Sequence, residues 1–177
     1  MHSTQLEIEG LPSGLMAAHE YWVSLKGDRV APSWKEFDLL NLPLQLVPTT
    51  LVIDIKNPVS NSVYRFWGSK MTEIHGVDMT KGSPYNLEPK EFGQQVYKDH
   101  CATIEKKRPT AGHYSFFAHG GYIHSHSLLR LPLSDDNDKI TQLIVVIDYS
   151  SEALNLIKKD RTQFNLIARQ ILERGAT

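Results

Sequence analysis

With 177 residues, 41% apolar and 22% charged, the chain has the size and composition of one compact, soluble domain, not of a disordered, collagen-like or repeat protein. Nineteen basic against twenty acidic residues leave a net charge of −1, which excludes a general electrostatic pull toward nucleic acid or an anionic membrane. The single cysteine, Cys101, excludes an internal disulfide and a thiolate-based zinc site.

In chain order, residues 1–14 are polar, acidic where a signal peptide would be basic, and carry Gly10, Pro12 and Gly14, the composition of a flexible lead-in and not of an export signal. From Leu15 to Lys26, Leu15, Ala18, Tyr21/Trp22 and Leu25 recur at helical spacing and Gly27 follows as a stop, predicting an amphipathic helix. Pro32, Pro43 and Pro48 then cut the chain into short pieces, with room for a turn or two of helix from Phe37 to Leu42. The β-branched run Thr49 to Lys56 and the segment Val63 to Trp67 predict an antiparallel pair of strands. A short helix over Ser69 to Ile74, with Gly76 behind it, and turn residues from Thr80 to Glu88 come next.

Pro89 to Lys107 reads as the longest internal helix: Pro89 suits its first turn, Val96, Tyr97, Cys101 and Ile104 form its apolar stripe, and Pro109 ends it. Thr110 to Ala118, Tyr122 to Leu133 and Ile140 to Tyr149 predict a three-stranded meander, separated by Gly120-Gly121 and by the acidic loop Asp135 to Asp138. Ser150 offers an N-cap to a helix running to Arg174, with Ala153, Ile157, Phe164, Ile167 and Ile171 spaced by threes and fours and Gly175 as its stop. The longest aliphatic run, Leu143 to Ile147, is far short of the ~20 residues of a membrane-spanning helix. A cytoplasmic protein without membrane insertion is the expectation, organised as lead-in 1–14, domain 15–149 and C-terminal helix 150–177.

This order resembles the PAS domain, and more specifically a bacterial, alphaproteobacterial PAS family with an added N-terminal helix bearing a tyrosine-tryptophan pair. The residues that carry the resemblance are Tyr21-Trp22, Gly27, Arg29 and Pro32-Ser33, then Tyr64-Arg65 with Gly68, then Gly76, Asp78, Thr80 and Gly82, and last Leu131-Pro132-Leu133 before Asp135, with Lys81 interrupting the Thr-Gly pair. It implies an α+β fold: a five-stranded antiparallel sheet, helices inserted between strands two and three, and flanking N- and C-terminal helices. It also implies a space between the sheet and the long helix. Its expected walls are Tyr97, Cys101 and Ile104 from the helix and Tyr114, Phe116, Ser125 and Ser127 from the strands. At most one of Tyr64 and Trp67 is expected to join them, because strand neighbours alternate between faces. Such a lining either binds a small organic ligand or simply fills the core.

The strand assignment rests on a two-residue Gly120-Gly121 turn, which puts His113, His119, His124 and His126 together on the face away from the interior. Imidazoles so placed could ligate zinc, copper or nickel, but no carboxylate or thiol stands at diagnostic spacing, so they read as polar residues on a partly wet face and no metal site is expected. His100 borders the helix stripe, and relatives of this fold can present a histidine there to haem iron; it reads as structural, and the cofactor is left unknown. No G-x-S-x-G, Walker, H-E-x-x-H or dinucleotide signature occurs, so no enzyme activity is expected. The resulting expectation is a stand-alone sensory or regulatory domain that binds a small ligand and signals through helix-mediated association, as a homodimer or with a partner protein. Residues 150–177 are too few to form an effector domain. The alternatives are an interaction-only dimerisation module with a filled core, and a haem or metal protein using histidines.

Overall fold

The computed structural model describes residues 2–87, 90–117 and 123–159, with the side chains of residues 2, 116, 117, 123 and 124 outside that description. The strands are β1 (His2–Leu6), β2 (Leu51–Asp54), β3 (Val63–Trp67), β4 (Thr110–Phe117), β5 (Ile123–Leu133) and β6 (Gln142–Asp148). The helices are α1 (Ser13–Lys26), α2 (Ser69–His75) and α3 (Lys90–Lys106), with α4 helical over 151–159 at the end of the described segment. All six strands pair antiparallel in the order β1-β4-β5-β6-β2-β3. The α+β architecture and the helices between β3 and β4 are those expected. The strand count is not, because the presumed lead-in supplies β1, paired with β4 from His2↔Ser115 to Leu6↔Ala111. An exposed sheet edge templates such pairing whatever the polarity of the added strand.

Alternation along β5 and β6 divides the core into two layers. Leu129, Leu131 and Leu133 of β5 and Ile144 and Val146 of β6 are fully buried on one face, which α1 covers with Leu15, Ala18 and Trp22. Trp22 is locked in place, its Nε1 donating to Pro132 O at 2.7 Å. Its neighbour Tyr21 accepts at Oη from Asp38 N at 3.0 Å and Asn41 Nδ2 at 3.2 Å, tying down the proline-rich segment. That segment is also stitched to the β5–β6 loop: Ser134 N donates to Pro32 O at 2.9 Å, and Trp34 N to an Asp135 carboxylate oxygen at 3.1 Å. Arg29 donates to Leu25 O, Lys26 O and Glu36. Thus the motif residues of the N-terminal extension hold backbone together. Among the described residues no helix is long and apolar enough to cross a membrane.

The other face belongs to α2 and α3. At β3 the pairing slips, Val52 opposing Phe66 while Ile53 opposes Tyr64, which leaves Arg65 as the extra residue of a bulge. The inserted residue brings Tyr64 and Trp67 to the same face, against expectation, with ring centroids 4.8 Å apart in an edge-on contact. Ser150 caps α4 as expected, its Oγ accepting from Ala153 N at 3.1 Å. The positions Phe164, Ile167, Ile171, Arg174 and Gly175 lie outside the described residues.

Candidate functional site

Between the sheet and α3 lies a cavity of about 50 Å³, walled by Leu51, Tyr64 and Trp67 of β2 and β3, Met71, Ile74 and His75 of α2, Phe92, Val96 and His100 of α3, and Tyr114, His126, Leu128, Arg130, Val145, Ile147 and Tyr149 of the β4–β6 side, with Leu87. One water occupies roughly 10–15 Å³ on this scale, so the space fits about three to five such molecules.

The register of β4 and β5 decides which side chains face it. Tyr114 pairs with His126, His113 with Ser127, and Phe117 with Ile123. The strands are therefore joined across 118–122, not across Gly120-Gly121 alone, and each β5 residue moves to the opposite face from the one expected. Ser125 and Ser127 consequently lie on the face away from the cavity, where Ser127 Oγ is 3.1 Å from His113 Nδ1. His126 turns inward, its ring 5.7 Å from Tyr114 and 4.8 Å from Tyr149. The premise that every imidazole avoids the interior fails here, and the two-serine lining falls with it. His113 and His126 share no face, and His119 and the His124 side chain lie outside the described residues. Among the described residues no group of three or more His, Cys, Asp or Glu side chains is placed to hold a metal ion.

The helix face is also rotated from the expected stripe. Phe92, Gly93, Val96, His100 and Thr103 are buried, whereas Tyr97 is 37% exposed and packs edge-on against Tyr85. Cys101 is half-buried and Ile104 packs against the core; with Tyr97, neither contributes to the cavity wall. Of the expected site residues, Tyr114 lines the cavity, and the Phe116 side chain lies outside the described residues.

What sequence reading missed is a polar cluster at the foot of α3. Asp99 Oδ2 receives Arg130 Nη2 at 3.2 Å and the Tyr114 hydroxyl, while Arg130 Nη2 also donates to the Tyr114 oxygen. Gln95 Nε2 holds Asp99 Oδ1 at 3.0 Å. The Arg130 side chain is 4% exposed and that of Asp99 17%, so the pair crosses from helix to sheet largely out of water. Burial, assisted by Asp99, pushes the Tyr114 hydroxyl well above its ordinary value against the opposing pull of Arg130; it stays protonated and donates. A lone arginine inside the run Leu128–Leu133 was the available signal, since a charge there demands a buried partner.

His100 faces the cavity as a neutral ring. Burial, and then the nearby positive Arg130, hold its pKa well below 6.5, and its Nδ1 has no hydrogen-bond partner among the described residues. Because the folded-state value is the depressed one, the unfolded chain gains a proton first as pH falls. Stability from this group is complete above pH 6.5 and is lost on acidification, at up to about 1.4 kcal/mol per pH unit. Urea midpoints measured from pH 7.5 to 5 are expected to drop less steeply for His100→Gln than for the native chain; parallel slopes would assign the acid sensitivity elsewhere. A porphyrin or an isoalloxazine ring finds no room beside His100 in about 50 Å³, so the residues present do not fit a haem or flavin between these walls.

No protein-family model and no curated protein matches the sequence. Solved structures do. The structure of an RNA-binding Light-Oxygen-Voltage receptor is similar over 96% of this chain, with a TM-score of 0.50 and 11% identity, the match covering 44% of that protein's length. The PAS domain of BvgS from Bordetella pertussis is similar over 69% of this chain and 93% of its own, with a TM-score of 0.49 and 11% identity. A PAS domain from Colwellia psychrerythraea covers 65% of this chain with 99% of its own, at a TM-score of 0.46 and 13% identity. At such identities likeness speaks to architecture alone: the match whose TM-score reaches 0.50, together with the antiparallel order of β2–β6 around α2 and α3, shows that the chain has the α+β fold of that Light-Oxygen-Voltage receptor.

Proposed function

We propose that this chain is a sensory or regulatory domain, not a catalyst, whose cavity takes a small molecule and whose flanking helices carry the change to a second copy or a partner protein. One observation carries the reading: the cavity wall runs directly into α4. Ile74 of α2 lines the cavity and also, with Lys70 and Glu73, faces Leu154, Ile157 and Lys158 of α4. Tyr149, another wall residue, stands immediately before the capping Ser150. A ligand that displaces either residue therefore acts on the seat of α4, and one that prefers a single arrangement of α4 shifts the population toward it. For association the chain offers exposed apolar side chains on α1 and the segment beside it, Val23 at 48%, Leu40 at 69% and Leu44 at 70% exposure.

Native mass spectrometry of the freshly purified chain tests this. A retained small molecule is expected on the folded protein, and Leu128→Phe, which grows a wall residue into the void, is expected to lose it while the chain still folds, at the usual overpacking cost of about 1–3 kcal/mol. A native chain carrying no added mass, with a subunit number unchanged by Leu128→Phe, would instead support an interaction-only module.

A further inference from the structure

We propose that the cavity selects a compact, uncharged molecule presenting a hydrogen-bond acceptor, such as a carbonyl oxygen, on an otherwise apolar body. The inference rests on the receptor reading above and adds to it the chemistry of the ligand. The buried polar atoms of the walls are unbalanced in one direction. Trp67 and Arg130 both line the cavity, and Trp67 Nε1 and Arg130 Nε are buried with no partner among the described residues. Each is a donor only, so the two cannot satisfy one another. Their desolvation is already incurred on folding, and a ligand oxygen that accepts from either recovers it. His100 Nδ1, likewise without a partner among the described residues, can donate or accept according to its tautomer and leaves the excess of donors intact.

Charge and size narrow the class further. The positive charge of Arg130 is already matched inside the wall by Asp99 at 3.2 Å. A carboxylate ligand would therefore bring an uncompensated anion among Leu51, Leu128 and Val145, at a heavy desolvation cost. An ammonium would meet only donors at Trp67 and Arg130. The volume of about 50 Å³ admits a body of few non-hydrogen atoms unless α2 moves outward.

Acetone, acetate and 2-methylpropene share a shape and a non-hydrogen atom count, and differ as neutral acceptor, anionic acceptor and hydrocarbon. Each is titrated at pH 7.5 into the isotopically labelled full chain, freed of any retained molecule by unfolding and refolding, and followed by NMR. The side-chain methyls of Leu128, Val145 and Ile147 report occupancy, and the N–H resonances of the Trp67 indole and the Arg130 guanidinium report the hydrogen bond. Trp67→Phe, which keeps a ring in the wall, confirms the indole assignment by its loss. Acetone is expected to move the methyls and at least one of the two N–H signals saturably, in the millimolar range set by so few atoms, with acetate bound at least tenfold more weakly. Methyl shifts with both N–H signals still would overturn the acceptor assignment and leave the receptor reading standing. Acetate binding more tightly than acetone would overturn the neutral class. Silence of the methyls to all three probes would remove the receptor reading itself, and the proposal with it.

Discussion

Arg130→Ala is expected to lower the stability of the folded chain by about 3–5 kcal/mol, the usual cost of stranding one partner of a buried ion pair. The structural reason is the direction in which the cluster is built. Asp99 Oδ2 is served by Arg130 and by the Tyr114 hydroxyl, and its side chain is only 17% exposed. Deleting the guanidinium leaves that carboxylate in place, out of reach of full hydration, and opens a hole beside Leu128 and Val145. The paired replacement Arg130→Met with Asp99→Asn removes both charges and keeps most of the volume, so it is expected to recover the larger part of the loss. Urea denaturation of the two variants checks this. A single substitution that costs less than about 1 kcal/mol, the range of exposed pairs, would show that the cluster is hydrated and that the charge argument used for the ligand is unsound.

The cluster also shows why the sequence revealed the fold more readily than the site. Strand β3 is legible because Val63–Trp67 is β-branched and aromatic between turn residues, and the N-cap of α4 is legible because Ser150 is the right chemistry in the right place. Which side of a strand faces inward depends instead on the parity of the connection before it. Five residues, 118–122, separate the paired Phe117 and Ile123, an odd number, and a two-residue turn at Gly120-Gly121 reverses every position of β5. The same fragility applies at β3, where one bulged residue, Arg65, puts Tyr64 and Trp67 together.

On α3 the failure has another cause. Apolar content favours Tyr97, Cys101 and Ile104, but the buried face includes His100 and Thr103. Thr103 is admitted because its hydroxyl bonds Asp99 O at 2.8 Å and lies 2.6 Å from the Thr110 hydroxyl. Polar side chains that find partners across the core are invisible to a hydrophobic pattern. The motif residues that carried the family resemblance behave in the opposite way: Trp22, Tyr21 and Asp135 hold backbone groups, so they mark the fold and say little about the cavity.

Gly68→Ala is expected to be the most damaging single-methyl addition, destabilising by about 3 kcal/mol or more, at or above the usual ceiling for overpacking. A Cβ at this position would stand 2.2 Å from Pro48 O and 2.9 Å from Thr50 O, backbone atoms with no rotamer to retreat into. Gly68 N also donates to Thr50 O at 3.0 Å, while Gly68 O accepts from Met71 N at the same distance and begins α2. Relief of the clash therefore has to come from moving the β3–α2 corner as a unit. Because α2 supplies Met71, Ile74 and His75 to the cavity and faces α4 through Ile74, that movement is expected to reach the cavity and the seat of α4 together. Gly76→Ala isolates the effect. Gly76 ends the same helix at φ 75° with open space where a Cβ would lie, so its cost is the left-handed conformation alone, about 1 kcal/mol. Comparing the two variants by denaturation, with the methyl resonances of Ile74 and Ile157 as local reporters, should show disturbance at both residues in Gly68→Ala and at neither in Gly76→Ala. If Ile157 stays unperturbed while Ile74 shifts, α2 and α4 are not mechanically joined, and any coupling between the cavity and α4 has to run through Tyr149 alone.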